Sequence, residues 1–591
     1  MLLSMQKYAV ISMLTGVNIL LSFTFGFHPD YWYAFMFALA LSTALHSLSV
    51  AMILWSWLFT GRPQERMEPK NILYVVPCYN ESLDELQGTL NSLTSQYKRL
   101  NDDHGLIIVC DGKVKGNGNG KSNGKDKDVI LSTDKILLKL LRLPEDAGFK
   151  DHYTNASGNE VKTDIYECVY NSMKCMLIVK HTNQGKRDSI TLVRRLAYGE
   201  STEVPTSLMT RFCNWIGDLP DYIVGVDADT IFHPMCTEEL IKGIERGGDM
   251  CMGCVGFVDI PRKWSPFVMY QYAEYHFGQL LRRRAQSEVT RKVNCLSGCN
   301  QIIRVSKETC GDELMNRYTR VPTALDTIFT HIRSYASEDR NHVCLMLSMY
   351  PYVTTVQARD AIAYTNVPES IPVFLSQRRR WTLGALTNDM LLTYLPGISF
   401  LERIGAMVNV ITFSFNPFIF VATCFFIKAI VNAPSMLMLY LSIPMLIPFV
   451  YCLLTVPITR GFYLREIIYF YLSYAWFILM GLPVSTVVYF NSLFGMDTIK
   501  WGKTRQVTEP DVRFKYVYEP QTFNIDFDDD SSSSSSSDLN LSANPPNGLR
   551  ADLSSPVRKN GNEIDVDNMM TDADYLSIDE VNILFKHESF V

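Results

Sequence analysis

The chain is divided into blocks that suit hydrocarbon and one long block that does not. Apolar stretches occupy about 8–27 and 31–59, and apolar sequence returns at about 401–431, 435–457 and 464–495. A membrane-crossing helix needs roughly 20 mostly apolar residues. An average of 47% hydrophobic residues hides this partition. The first stretch resembles a signal peptide. The second follows almost at once, though, and no small-residue cleavage site is evident, so residues 1–60 read as a transmembrane helical hairpin. The link around His28-Pro29-Asp30 carries no Lys or Arg, whereas Arg62, Arg66 and Lys70 follow the second span. The positive-inside rule then puts the hairpin tip outside and residues beyond 60 in the cytosol.

The length of 591 residues allows two or three domains. Residues 61–400 read as a soluble α/β domain with interface helices toward its end. Short apolar runs end in polar residues at Ile72–Tyr79, Leu106–Asp111, Met176–Val179 and Tyr222–Asp227. Helical-looking segments such as 82–96 and 267–289 separate them. Strands alternating with helices predict a mainly parallel sheet, and ligands of such sheets bind beyond the carboxyl ends of the strands. The insert Lys113–Asp128, rich in Gly, Asn and Lys, reads as a surface loop. The formal net charge of −6 argues against a nucleic-acid partner. The 14 cysteines are scattered. Cys251 and Cys254 form one C-x-x-C without a second pair, which reads as buried strand cysteines rather than a zinc site.

Residues 401–500 read as transmembrane or re-entrant helices, 501–518 as a separate motif segment, and 519–591 as a disordered acidic, serine-rich tail. Arg460 and Arg465 place the link before the third apolar block in the cytosol. Gly481 and Pro483 interrupt that block. It is therefore expected to bend back as a re-entrant or interfacial pair, leaving Lys500, Lys503 and Arg505 cytosolic.

Five polar clusters carry chemistry. Asp227 and Asp229 follow an apolar strand and can hold Mg²⁺ or Mn²⁺ against a diphosphate, since hard oxygen ligands suit those ions; a solvated turn is the commonplace reading of D-x-D. Asp111 ends a strand and can accept a base N–H, with Gly112 letting the backbone approach; an Asp-Gly turn is the plainer alternative. Lys186 and Arg187, in Gln184-Gly185-Lys186-Arg187-Asp188-Ser189, can meet anionic groups at a helix N-terminus, or stand as solvated cations beside a helix cap. Ser337-Glu338-Asp339-Arg340 opens a helix, where acids favour the dipole; the sharper reading makes Asp339 a general base. Gln377-Arg378-Arg379-Arg380-Trp381 is either a juxtamembrane basic cluster or a diphosphate clamp with an aromatic platform for a sugar.

Their joint order resembles that of processive family 2 glycosyltransferases, the group of cellulose, hyaluronan and chitin synthases, over about residues 70–505 plus the hairpin. G-K-R-D-S, E-D-R and Q-R-R-R-W stand here as chitin synthases typically carry them. Their late W-G-T-R reads Trp501-Gly502-Lys503-Thr504-Arg505 here, with an added Lys503. Their C-L-P-G-C acceptor loop reads Cys295-Leu296-Ser297-Gly298-Cys299, with Ser297 in place of Pro.

The resemblance implies a GT-A-like nucleotide-sugar transferase domain between α-helical transmembrane segments. It implies transfer of N-acetylglucosamine from UDP-GlcNAc to a growing β-1,4 chain, with Mg²⁺ or Mn²⁺ as cofactor. The partners it implies are the growing chitin chain and the lipid bilayer, with a homodimer as a candidate assembly. The expected location is the plasma membrane, with the catalytic domain in the cytosol. Among site residues, Tyr79, Glu81, Asp111 and Lys186 are similar to uridine-site residues. Asp229 resembles the metal ligand and Asp227 a support for the nucleotide. Asp339 resembles the catalytic base. Gln377, Arg380 and Trp381 resemble the diphosphate clamp and acceptor platform, and Gly298 and Cys299 belong to the acceptor loop. Trp501 and Arg505 resemble a cap over the nucleotide. A hyaluronan synthase, or another processive synthase of this group, is the alternative.

Overall fold

The computed structural model describes residues 2–28, 32–59, 68–113, 132–432 and 436–497. The insert beyond Lys113, the Trp501–Arg505 motif and the serine-rich tail lie outside them.

Two long helices, α1 (Leu2–Phe27) and α2 (Trp32–Phe59), precede the sheet domain. In the domain's first half, β1 (Asn71–Cys78), α3 (Leu83–Thr94), β2 (Asp103–Asp111) and α4 (Thr133–Leu140) lead to the strands β3 (Phe149–Thr154), β4 (Glu160–Tyr170) and β5 (Met173–Lys180). Next come α5 (Lys186–Tyr198), α6 (Thr206–Ile216), β6 (Tyr222–Gly225), β7 (Ile231–Phe232), α7 (Cys236–Arg246) and β8 (Cys251–Asp259). Helix α8 (Pro266–Phe277) continues as π-helical turns at Gly278–Arg283 and Gln286–Thr290. The domain closes with β9 (Gln301–Arg304), α9 (Lys307–Cys310), α10 (Asp312–Thr319), α11 (Ile328–Ala336), α12 (Glu338–Met349), β10 (Thr354–Tyr364) and α13 (Ile371–Tyr394).

The strands form one sheet in the order β3-β4-β5-β2-β1-β6-β9-β8-β10-β7. β1, β2, β5 and β6 run parallel, as do β8 and β10. The antiparallel strands β4, β7 and β9, with β3 paired antiparallel to β4 at the edge, fill the remaining places. β1 shows why its apolar run is nearly unbroken. Ile72, Tyr74 and Val76 enter the core on one face of the sheet, and Leu73 and Val75 enter the core on the other. A strand covered on both faces has no polar side to present. The C-x-x-C cysteines, Cys251 and Cys254, are buried on β8, as expected.

Among the described residues, three helices are long and apolar enough to cross a membrane: Leu3–Phe27, Ser442–Thr459 and Leu464–Phe494. They fall in α1, α16 (Met436–Thr459) and α17 (Leu464–Phe494). A shorter apolar helical segment, Thr43–Ser56, lies in α2. A fourth span is reached if the bent pair α14 (Phe400–Ser414) and α15 (Asn416–Asn432) counts as one.

The break expected in the last apolar block is not there. α17 is continuous through Gly481 and Pro483. It packs lengthwise against the sheet domain, and neighbouring helices are what allow proline inside an apolar helix. Glu466, near its start, pairs with Arg262 at 2.6 Å. Trp476 donates to the Pro266 carbonyl, and Asn491, near the helix end, donates to the Leu375 carbonyl. Both ends of α17 therefore touch the sheet domain without any reversal of the chain.

The bend sits instead between α14 and α15, at 78°. A broken helix exposes the last carbonyls of one half and the first N–H groups of the next. Asn18 of α1 meets both: its amide donates to the Ser414 carbonyl at 2.8 Å, and its carbonyl accepts from the Phe418 N–H at 3.0 Å. Asn18→Leu removes both bonds while keeping the helix apolar. The expected result is a loss of about 1–3 kcal/mol, read as a lower midpoint in thermal unfolding of the detergent-solubilised protein. An unchanged midpoint would mean that Asn18 does not hold the break.

Candidate active site

The parallel strands end in a polar cluster, and local geometry explains each member. Asp111, at the end of β2, is 1% exposed. One of its oxygens accepts from the Gln184 N–H at 2.9 Å, the other from the Gly185 N–H at 2.6 Å, and Lys180 lies at 3.3 Å. The carboxylate thus anchors the turn that launches α5. Gly112 has φ of +106°, and a Cβ there would meet the Asn183 backbone at 3.0 Å, so glycine lets these two loops approach. Tyr79 and Asn80 donate their N–H groups to Glu81 at 2.6 and 2.9 Å.

The anchored turn aims Lys186 inward. Its ammonium lies 2.6 Å from Asp227 and 3.2 Å from Glu338. Burial alone would weaken its hold on the proton, but Asp227, Glu338 and Asp339 outweigh burial and raise its pKa well above the usual lysine value. Arg187 points elsewhere. It donates to the Tyr318 and Arg333 carbonyls, and its guanidinium lies 4.6 Å from the Tyr318 ring. Of the two cations expected at this helix start, one serves the site and the other ties α5 to its neighbours.

Glu338 and Asp339 open α12 and differ in electrostatics. Burial opposes ionisation of Glu338, but Lys186 and Arg380 prevail and hold its carboxyl at about 2. Burial and the neighbouring Glu338 charge push Asp339 up to about 7, against Lys186 and the Gly298 N–H. That N–H donates to Asp339 Oδ2 at 2.8 Å. Asp339 Oδ1 is buried without a hydrogen-bond partner. The loop residue beside it has to be small, since a Cβ on Gly298 would stand 2.7 Å from Oδ1 and 3.1 Å from Lys186 Nζ. Cys299 follows as a thiol whose pKa is raised well above its usual value by burial and by Asp227 and Asp339.

The three arginines of α13 divide their work. Arg378 is buried, with its guanidinium 4.4 Å from the Trp381 ring and 4.8 Å from that of Phe374. It donates to Glu274 and to the Gln377 side chain. Arg379 packs beside Gly495 at the end of α17. Arg380 alone of the three lines the cavity, and its Nε is a buried donor without a partner.

These elements enclose a cavity of about 640 Å³. Glu81, Asp227, Asp229 and Lys186 line one part of it, and Gly298, Cys299, Asp339, Gln377, Arg380 and Trp381 line another. Tyr275 from α8 and His46 from α2 also reach it, so a membrane-type helix contributes to the wall. Tyr79 and Asp111 do not line the cavity; they shape the loops behind it. Trp501 and Arg505 lie outside the described residues. Sequence reasoning missed Glu338 as a member of the charge cluster and missed the α8 wall. For Glu338 the signal was present, an acid adjoining Asp339; for α8 it was a run of three arginines at 282–284 read only as helix.

The donor set suits a divalent cation that a substrate completes. Glu81 is pushed up to about 7 by burial and by Asp229, against the Tyr79 and Asn80 N–H groups. Two carboxylates thus face each other while Asp227 is engaged by Lys186. Among the described residues no three acidic, His or Cys side chains form a complete metal cage. Mg²⁺ characteristically takes one or two carboxylates plus substrate phosphates.

The family model described as "Chitin synthase" matches residues 56–178 and 172–528. The chain is 31% identical to chitin synthase 8 of Gibberella zeae over 540 residues, 86% of this chain and 78% of that protein. It is 32% identical to chitin synthase 8 of Verticillium dahliae over 475 residues, 73% of this chain and 76% of that one. A 26% match to chitin synthase 8 of Mycosarcoma maydis covers 77% of this chain but 23% of that much longer protein.

Gly298→Ala forces a methyl group against Asp339. The expected outcome is a folded protein that retains nucleotide affinity but loses ~10²-fold or more in turnover, the usual worth of a positioned base. Binding and turnover measured on the same preparation check this; wild-type turnover would show that the loop yields without moving the carboxylate.

Proposed function

The chain belongs to the chitin synthase family, and on that premise we propose an inverting transfer of N-acetylglucosamine to the 4-hydroxyl of a growing β-1,4 chain. As a family member it is a glycosyltransferase using UDP-GlcNAc, and its apolar helices make it an integral membrane protein. The observation that carries the mechanism is Asp339: a buried carboxyl with one free oxygen, held by the Gly298 N–H in a cavity shared with Asp229 and Trp381.

The acceptor sugar stacks on Trp381, which Arg378 holds from behind. Its 4-hydroxyl meets Asp339 Oδ1. As the O4–C1 bond forms, the proton passes to Asp339, the bond from C1 to the phosphate oxygen breaks, and UDP leaves with the electron pair. Arg380 and Gln377 meet the charge that grows on the diphosphate. Tyr79, Glu81, Asp111 and Lys186 shape the uridine pocket, Asp111 through the loop it anchors. Asp229 would ligate Mg²⁺ or Mn²⁺, with Asp227 positioned by Lys186 to support the nucleotide. The ion supplies positive charge to the diphosphate oxygens. Trp501 and Arg505 are assigned to the nucleotide cap on the resemblance alone.

The sheet domain faces the cytosol, as the charges after residue 60 indicate. Contact of both ends of α17 with that domain supports keeping the Trp501 motif on the same side. The cavity wall contributed by His46 of α2 supports delivery of the product into the membrane helices.

Three outcomes test this reading. A base with a pKa raised to about 7 is active only when ionised, so kcat/KM should rise with pH through about 7. Asp339→Asn should keep UDP binding while losing ~10²-fold or more of polymer synthesis; near-normal turnover of the purified variant would remove Asp339 from the role. Asp229→Ala and chelation of the wild type should both abolish formation of chitinase-sensitive polymer from UDP-GlcNAc. Undiminished synthesis in EDTA would eliminate the metal.

A further inference from the structure

The cavity does not end at the base. From Tyr275 to Gln286 one helical wall lines it, through Gln279, Arg282 and Arg283. At 1.5 Å per residue this wall runs about 16 Å. Gly278–Arg283 is π-helical, a form that recurs at functional sites. The wider turn lets the adjacent residues Arg282 and Arg283 both face the cavity, although neighbours on an α-helix diverge.

This end of the cavity carries an excess of positive charge, with Arg282, Arg283 and Arg340 set against the carboxyls of Asp389 and Glu402. Arg282 donates to Asn409 at 3.1 Å, and Arg283 donates to Ser297 and Gln279 at 3.1 and 3.3 Å, all of them neutral partners. Burial leaves both guanidinium groups with pKa values below the usual arginine value. Arg340 adds a third cation and pairs with Asp389 at 3.3 Å, a carboxylate whose charge also reaches Arg282. Glu402 accepts from Gln286 and Thr290, and its charge also reaches Arg282. Asn294 and Cys295 complete the lining. The lobe adjoins the base, because Ser297, held by Arg283, directly precedes Gly298, whose N–H holds Asp339.

A chain leaving Asp339 enters surroundings rich in N–H donors and poor in free carboxylates. Guanidinium N–H groups suit a neutral amide oxygen, whereas a buried cation repels an ammonium group. We propose that Arg282 and Arg283 select N-acetylated sugar units, donating to the acetamido carbonyl and excluding glucosamine units in their protonated form. The inference rests on the reading of this cavity as the acceptor site of a chitin-forming enzyme.

The test is equilibrium binding of N,N′-diacetylchitobiose and of its fully deacetylated counterpart to the purified full-length protein near neutral pH, with UDP and Mg²⁺ present. The wild type should favour the acetylated disaccharide by about a hundredfold or more, the order expected for opposing like charges out of water. R282Q/R283Q should narrow that ratio at least about tenfold, and R282K/R283K, which restores the charge, should widen it again. Equal binding of the two disaccharides by the wild type would overturn the proposal, as would a glutamine pair that keeps full discrimination. Because binding is read without turnover, failure here is distinct from failure to make polymer from UDP-GlcNAc, which would sink the reading beneath it.

Discussion

The ammonium of Lys186 ties together three separate parts of the chain. It comes from the start of α5, and it engages Asp227 beyond β6 and Glu338 at the start of α12. Removing one partner of a buried ion pair costs about 3–5 kcal/mol because the other is left uncompensated. Here the consequence is chemical as well. Lys186 and Arg380 keep Glu338 ionised, and that negative charge raises Asp339 beside it. Two adjacent carboxyls in one helical turn thereby acquire opposite tendencies, one a fixed charge and the other a proton acceptor near neutrality. The lysine itself is aimed by Asp111, which binds the two N–H groups ahead of it.

The cavity belongs neither to the sheet alone nor to the membrane helices alone. The segments after the parallel strands supply acids to it. The α8 wall and α13 supply aromatic and cationic surface, and α2 contributes His46 to the lining. One apolar cluster joins Val50 and Ile53 of α2 to Tyr272 of α8 and to Tyr451 and Phe470 of the later helices. The α8 wall of the cavity is therefore packed against the apolar helices. The arginines of α13 follow the same logic: Arg378 packs on Trp381, Arg379 meets the end of α17, and Arg380 faces the cavity.

Much of this was legible from local pattern. Apolar runs closed by polar residues located β1, β2, β5 and β6 within a few residues, because a strand buried on both faces has no other composition available. The antiparallel strands β4 and β9 carried no comparable signal; their places depend on partners far along the chain. Gly481 and Pro483 looked like a break, yet α17 runs through them, since packing against the sheet domain outweighs the local cost. The actual bend follows Ser414, where Asn18 of a distant helix receives the freed backbone groups.

The order of charged motifs by itself determined the family resemblance, because residue type and spacing suffice to state which chemistry a segment can perform. It also determined that apolar helices flank a soluble α/β domain. The tertiary structure alone decided that Lys186 enters the acid cluster while Arg187 leaves it, that Asp111 spends its oxygens on a loop, and that Arg282 and Arg283 face the cavity. The physical reason is that charge acts over ångströms of space rather than along the chain. Which carboxyl ionises, and which cation stands beside it, is set only when segments a hundred residues apart are buried together.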